Sequence, residues 1–289
     1  MTPLSARGRG RRIGESARPH PHPTPRRPQG HPGCLPVAYR PAGGNKRGGG
    51  AVLLDMRIEI WSDVVCPWCY IGKRRLETAL SDFAHADEVE VVWRSYQLDP
   101  TAPRGESVST LEALGARFGG PDQVRQMLAR TQEMAAAEGL HFGDASLHAN
   151  TEDAHRLLHL ALDAGGASLQ GELKEALLAA HFVDNRDLGD HAVLQDVAVT
   201  VGLPAARVDA VLASQEYADA VRADVEQARA YGATGVPFFV VEGKYGVSGA
   251  QPVETFTQVL ARAWDDSHPK LDLVGGGDAE ACGPDGCAV

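Results

Sequence analysis

Cys66 and Cys69, separated only by Pro67 and Trp68, are the side chains of this sequence best placed to do chemistry. A Cys-x-x-Cys pair at the start of a helix has a definite physical use. The first sulfur sits where unpaired backbone N–H groups and the helix dipole favour negative charge, so a thiolate on Cys66 is expected to be stabilised. Pro67 suits the first helical position, where its missing N–H costs nothing. Cys69, one turn on, is close enough to attack a mixed disulfide on Cys66 and release the partner. Zinc ribbons use the same spacing, and two ordinary buried cysteines would show it too. A four-cysteine zinc site would have to recruit Cys282 and Cys287 across 212 intervening residues, with no His near the first pair. A strand-to-helix position favours the redox use.

Other candidates surround this pair. Asp63, three residues before Cys66, reads either as a proton relay for Cys69 or as an exposed strand-end carboxylate or helix cap. Trp68 is placed to shape partner contact. Lys73, Arg74 and Arg75 add positive potential or simply form a solvated helix face. His155 and His159 stand at i, i+4, but no third ligand is in view and no metal is assigned. Cys282 and Cys287, on a glycine-rich stretch, read as a second dithiol relaying electrons to the first, as a regulatory disulfide, or as exposed thiols. Cys34 has no supporting motif.

The elements that must hold these residues follow from periodicity. Arg57 to Trp61 alternates with period two and predicts a strand; Cys66-Pro67-Trp68-Cys69 opens an amphipathic helix reaching about Phe83; Glu88 to Arg94 is the next strand. This is a β-α-β start, for which a parallel sheet is expected. Helical spacing then runs through 110–117, 121–138, 151–164, 169–182, 191–201, 205–213 and 216–231. Val236 to Val241, a Glu242-Gly243 turn and Lys244 to Val247 predict a hairpin, and Val253 to Trp264 a last helix. One α/β unit, 56–108 and 216–266, is thus split by a helical insertion, 109–215, and followed by a polar tail, 267–289.

The net charge of −10 hides two opposite parts. Residues 1–55 carry ten Lys/Arg against two carboxylates, and the remainder carries 18 against 36. The first stretch also holds 19 of the chain's 50 Pro and Gly and no hydrophobic period, so it reads as a disordered basic extension, with the working polypeptide starting near Met56. No apolar run follows Arg11-Arg12 to make an export signal, and the Pro residues between 19 and 28 forbid an amphipathic presequence. An acidic body repels nucleic acid and anionic lipid, and no stretch approaches the roughly 18 apolar residues that a membrane helix needs. No nucleic acid, no membrane and a cytoplasmic location are the resulting expectations.

Taken together, Ser62-Asp-Val-Val-Cys-Pro-Trp-Cys-Tyr-Ile-Gly72, the helical insertion, Gly232-Ala-Thr-Gly-Val-Pro-Phe-Phe-Val240 and Val247-Ser-Gly-Ala-Gln251 resemble the DsbA-like branch of the thioredoxin superfamily. Within it the FrnE-like proteins, related to 2-hydroxychromene-2-carboxylate isomerase and kappa-class glutathione transferases, are the nearest in pattern. The resemblance covers about Arg57 to Trp264 and implies a thioredoxin-like α/β fold with an all-helical insertion between its βαβ and ββα halves. It also implies a cis Val236-Pro237 bond facing the cysteines, so that Val236, Pro237, Pro67 and Trp68 would contact an extended peptide or glutathione. Glutathione-dependent relatives place Ser where Cys66 stands and a Ser-Asp pair where Gly249-Ala250 stands. Since a Ser cannot form a disulfide, disulfide exchange leads.

The expected activity is therefore thiol–disulfide exchange with Cys66 as nucleophile and Cys69 as resolving thiol. No cofactor is needed, and the partners are protein or small-molecule thiols and disulfides, with glutathione a candidate co-substrate. The alternatives are a glutathione-dependent isomerase or transferase and a non-enzymatic metal- or peptide-binding protein.

Overall fold

A computed structural model describes residues 56–144 and 147–269; the expectations for residues 1–55, Cys34, Cys282 and Cys287 lie outside the described residues. β1 (Met56–Ser62) leads through a tight turn into α1 (Pro67–Ser81), and the chain returns as β2 (Val89–Ser95). β2 pairs parallel with β1 in register from Met56↔Val89 to Ser62↔Ser95, so both strands end at the level of the turn that carries the cysteines.

The chain then leaves the sheet. β3 (Val108–Ser109), α2 (Thr110–Gly115), α3 (Pro121–Ala137), β4 (Leu147–His148), α4 (Glu152–Phe182), α5 (His191–Thr200), α6 (Ala205–Leu212) and α7 (Ala218–Ala230) follow in order. It returns as the hairpin β5 (Phe238–Val241) and β6 (Tyr245–Ser248) and ends in α8 (Val253–Ser267). The sheet order is β2-β1-β5-β6, with β5 antiparallel to both its neighbours.

Periodicity explains how the sheet is covered. Ile58, Ile60, Phe239 and Val241 point to one face and pack with Leu76 and Leu80 of α1 and Phe256 and Leu260 of α8. Trp61, Phe238 and Val240 point to the other and pack with Ala228 of α7. A strand buried on both faces has no polar alternate, which is why β5 reads Phe-Phe-Val-Val. The insertion has its own core, with Leu157, Leu173, Leu177, Leu194, Val208 and Val211 fully buried, and Val64 from the β1–α1 turn belongs to it. Insertion and sheet therefore meet at the cysteine-bearing turn.

The insertion meets one sequence expectation and departs from another. The two helices expected on either side of residue 165 are present, joined within α4 across a kink where Gly165 and Gly166 leave helical geometry, Gly166 at φ 68°. A residue without Cβ adopts that angle cheaply. The insertion also contains the β3–β4 ribbon, Val108↔His148 and Ser109↔Leu147, whose two-residue strands are too short to show a period. Among the described residues no helix is long and apolar enough to cross a membrane.

One glycine sets how closely α1 approaches the hairpin. A Cβ on Gly72 would lie 3.1 Å from Pro237 Cγ, 3.2 Å from Phe239 Cζ and 3.4 Å from Ala250 Cβ. Gly72→Val is expected to lower stability by about 1–3 kcal/mol through overpacking, read as a lower urea midpoint with an unchanged slope.

Candidate functional site

Cys66 is the N-cap of α1, with extended backbone (φ −95°, ψ 113°), and Pro67 occupies the first helical position. The Cys69 N–H donates to the Cys66 carbonyl at 3.0 Å, which places the second sulfur one turn in. Both sulfurs are almost wholly buried, whereas Pro67 is half-buried and Trp68 is exposed at the surface between them.

Across from this turn the Val236–Pro237 peptide is cis. Cys66 Sγ lies 3.6 Å from the Val236 carbonyl oxygen, so the start of β5 lies directly against the first sulfur. The loop after β6 holds that segment in place, since the Gly249 N–H donates to the Pro237 carbonyl at 2.8 Å. Arg75 reaches the same loop through the Ala250 carbonyl at 2.6 Å. Gly249-Ala250 thus has a supporting role. Of the residues proposed from sequence, Cys66, Cys69, Val236 and Pro237 come together, with Pro67 and Trp68 forming the rim.

Asp63 is fully buried, which overturns the reading of an exposed carboxylate. Its Oδ1 accepts from the Val64 N–H at 2.8 Å and lies 3.2 Å from His155 Nε2; its Oδ2 accepts from the Leu98 N–H at 2.8 Å. Burial opposes its charge, but the His155 hydrogen bond and charge, the Leu98 N–H and the Lys174 ammonium outweigh it, and Asp63 is held below the usual carboxylate range. His155 and His159, one turn apart on α4, are engaged by different carboxylates, since His159 Nε2 lies 3.1 Å from Asp224 Oδ2. Among the described residues no group of three or more His, Cys, Asp or Glu is arranged to hold a metal ion.

The basic run of α1 is likewise no solvated face. Lys73 and Arg74 both pair with Glu77 and with Glu175 of α4, and Arg75 pairs with Glu138 at 2.6 Å. Burial opposes the Glu175 charge, but Lys73 and Arg74 prevail and hold it near about 2. These cations stitch α1 to the insertion and are neutralised there.

The residue that local sequence reasoning missed is Lys174. It is fully buried on α4, donates to the Ser62 carbonyl at 3.4 Å, and lies 5.4 Å from the centre of the Trp93 ring. Burial lowers its pKa to about 8, against the raising effect of Cys69, Asp63 and Cys66. Ser62 Oγ is buried without a hydrogen-bond partner among the described residues, and it favours the Cys69 anion. No periodic signal marks a lysine inside an otherwise amphipathic helix as buried.

The two thiols titrate as a unit. Burial works against a thiolate on Cys69, but the hydrogen bond from Cys66, the Lys174 ammonium, Ser62 and the Asp63 backbone bring it below the ordinary thiol range. The hydrogen bond to Cys69, together with burial, pushes Cys66 well above that range. The two directions are opposite, so the surroundings of the pair favour the anion on Cys69 and the proton on Cys66. The helix N-terminus at Cys66 and the buried Lys174, which acts on Cys69, thus pull the charge of the pair towards different sulfurs.

A family description, the DSBA-like thioredoxin domain, matches residues 57–261. The chain is 48% identical to a Streptomyces coelicolor protein of solved structure, SCO1869, described as a probable DsbA oxidoreductase; the match covers 81% of this chain and 99% of that one, with a TM-score of 0.69. A 2-hydroxychromene-2-carboxylate isomerase shares the fold at 11% identity and a TM-score of 0.55, covering 73% and 98% of the two chains. The YwbO protein of Bacillus subtilis is 26% identical over 214 residues, which is 72% of this chain and 97% of that protein.

Acid titration offers a test of this buried layer. Burial lowers His181, near the end of α4, from its ordinary 6.5 to about 4. The unfolded chain then binds a proton that the folded one refuses, so this contribution is fully present above about pH 6.5 and is lost as the pH falls towards about 4. Urea unfolding followed across that window should lose about 3 kcal/mol attributable to His181, and His181→Leu should flatten that part of the profile.

Proposed function

Because the chain belongs to the DSBA-like thioredoxin domain family, we propose that it is a thiol–disulfide oxidoreductase working through Cys66 and Cys69. The observation that carries this reading is the convergence of two buried cysteines one helical turn apart, the Val236 carbonyl against the first sulfur and a rim with an exposed Trp68 at one end of the sheet. The resemblance to SCO1869 over nearly all of that protein supports it.

The geometry suggests an order of events. A partner disulfide approaches along Val236, beside the rim, and meets Cys66 first. Transfer of a proton from Cys66 to Cys69 leaves a thiolate on Cys66, which attacks one sulfur of the partner's S–S bond; a mixed disulfide forms and the partner's other sulfur leaves as a thiolate. Cys69 then gives up its proton beside Lys174 and Ser62, attacks Cys66 Sγ, and releases the partner as a thiol. The protein's bridge forms as the partner's breaks, and two electrons pass from the cysteine pair to the partner. The reverse sequence reduces the protein at a partner's expense. Protein or small-molecule disulfides, glutathione among them, fit this exchange.

Equilibration in glutathione buffers of graded poise, with cysteine states counted by mass spectrometry, should show one reversible two-electron step confined to Cys66 and Cys69. Cys69→Ser should accumulate the mixed disulfide on Cys66, and Cys66→Ser should abolish exchange. Glutathione-dependent turnover of a small substrate that survives Cys69→Ser would instead identify an isomerase or transferase.

A further inference from the structure

We propose that Lys174 is the counter-cation of the reduced cysteine pair and sets its redox poise, a role that rests on the oxidoreductase reading above. Lys174 is fully buried, yet among the described residues its one hydrogen-bond acceptor is the Ser62 carbonyl, at a long 3.4 Å. The Trp93 ring supplies a second, weaker attraction. A buried cation with three donors and so little compensation is costly unless an anion stands by it.

The nearby carboxylates are committed elsewhere. Asp63 is occupied by the Val64 and Leu98 N–H groups and by His155. Glu175, the next residue on α4, is occupied by Lys73, Arg74 and Tyr70. The charged and titratable groups that act on the ammonium are Cys69, Cys66 and Asp63 from the β1–α1 junction and Lys73 from α1. The group in that set whose charge depends on redox state is the cysteine pair.

The balance of the reaction then makes Lys174 redox-selective. When two glutathione thiols reduce the Cys66–Cys69 bridge they join as glutathione disulfide and supply two electrons and two protons. Cys66 keeps one proton, Cys69 keeps the negative charge, and the other proton goes to solvent. The attraction between Lys174 and Cys69 exists only after the S–S bond has broken. It stabilises the reduced form and makes the protein a stronger oxidant than it would be without the lysine. By reciprocity, closing the bridge must weaken the hold of Lys174 on its own proton.

The test uses the full chain in graded glutathione buffers. Lys174→Met should move the equilibrium at least about tenfold towards the bridged form, equivalent to about 30 mV. It should also raise the pH at which the first thiol ionises, followed by thiolate ultraviolet absorbance. Gln170→Leu serves as the structural control. The Gln170 side chain bonds both the N–H and the carbonyl of Trp93, each at 2.9 Å, so its loss should lower the urea midpoint without moving the equilibrium. A Lys174→Met equilibrium within about twofold of the unsubstituted chain would overturn the proposal while leaving the oxidoreductase reading intact. A pair that never bridges in the unsubstituted chain would overturn both. A second measurement keeps Lys174 in place and so does not depend on the folding of the variant. NMR titration of its side chain should show a lower midpoint in the bridged protein than in the reduced one, and an unmoved midpoint would also refute the role.

Discussion

The Asp63 carboxylate accepts hydrogen bonds from the Val64 and Leu98 N–H groups and faces His155 Nε2, so one buried anion holds the end of β1, the loop after β2 and the start of α4. A charge excluded from water has to be compensated on every side, and each partner that does so is thereby fixed in position. The turn carrying Cys66 grows from this anchor, since the Cys66 N–H donates back to the Asp63 carbonyl at 3.4 Å. The approach of Val236 to Cys66 Sγ and the depth of Cys69 depend on where that turn sits.

The insertion supplies the other half of the site. Along α4, His155 meets Asp63, His159 meets Asp224, Gln170 meets the backbone of Trp93, Lys174 meets the Ser62 carbonyl, and Glu175 meets Lys73 and Arg74. β2 is an edge strand whose outward backbone groups need partners, and the Gln170 amide provides them much as another strand would. A helix that bonds polar groups of the sheet in this way does more than cover it. It brings the Lys174 ammonium to the Ser62 carbonyl, four residues before Cys66, where its charge acts on the cysteine pair.

Much of the framework was legible in the sequence. β1, β2, β5 and β6 are marked by alternation or by a short continuous apolar run, and α1 by an amphipathic stretch beginning at proline. The insertion helices stand close to their expected bounds, including the two that flank the Gly165-Gly166 kink within α4. The β3–β4 ribbon was not legible, because two residues per strand carry no period. Lys73, Arg74 and Arg75 were read as a solvated face because a basic run gives no sign that Glu77, Glu138 and Glu175 will close over it.

What depends on neighbours a few residues apart is readable along the chain: two cysteines one helical turn from each other, proline where a helix needs no N–H, and strands whose side chains alternate between faces. That Asp63 is buried and that a lysine from the insertion reaches the Ser62 carbonyl emerge only when the chain is packed. Those outcomes turn on contacts such as Asp63 with His155 and Ser62 with Lys174, separated by 92 and 112 positions in the chain. The cost of burying a charge is set by what surrounds it in space, and local periodicity holds no record of that.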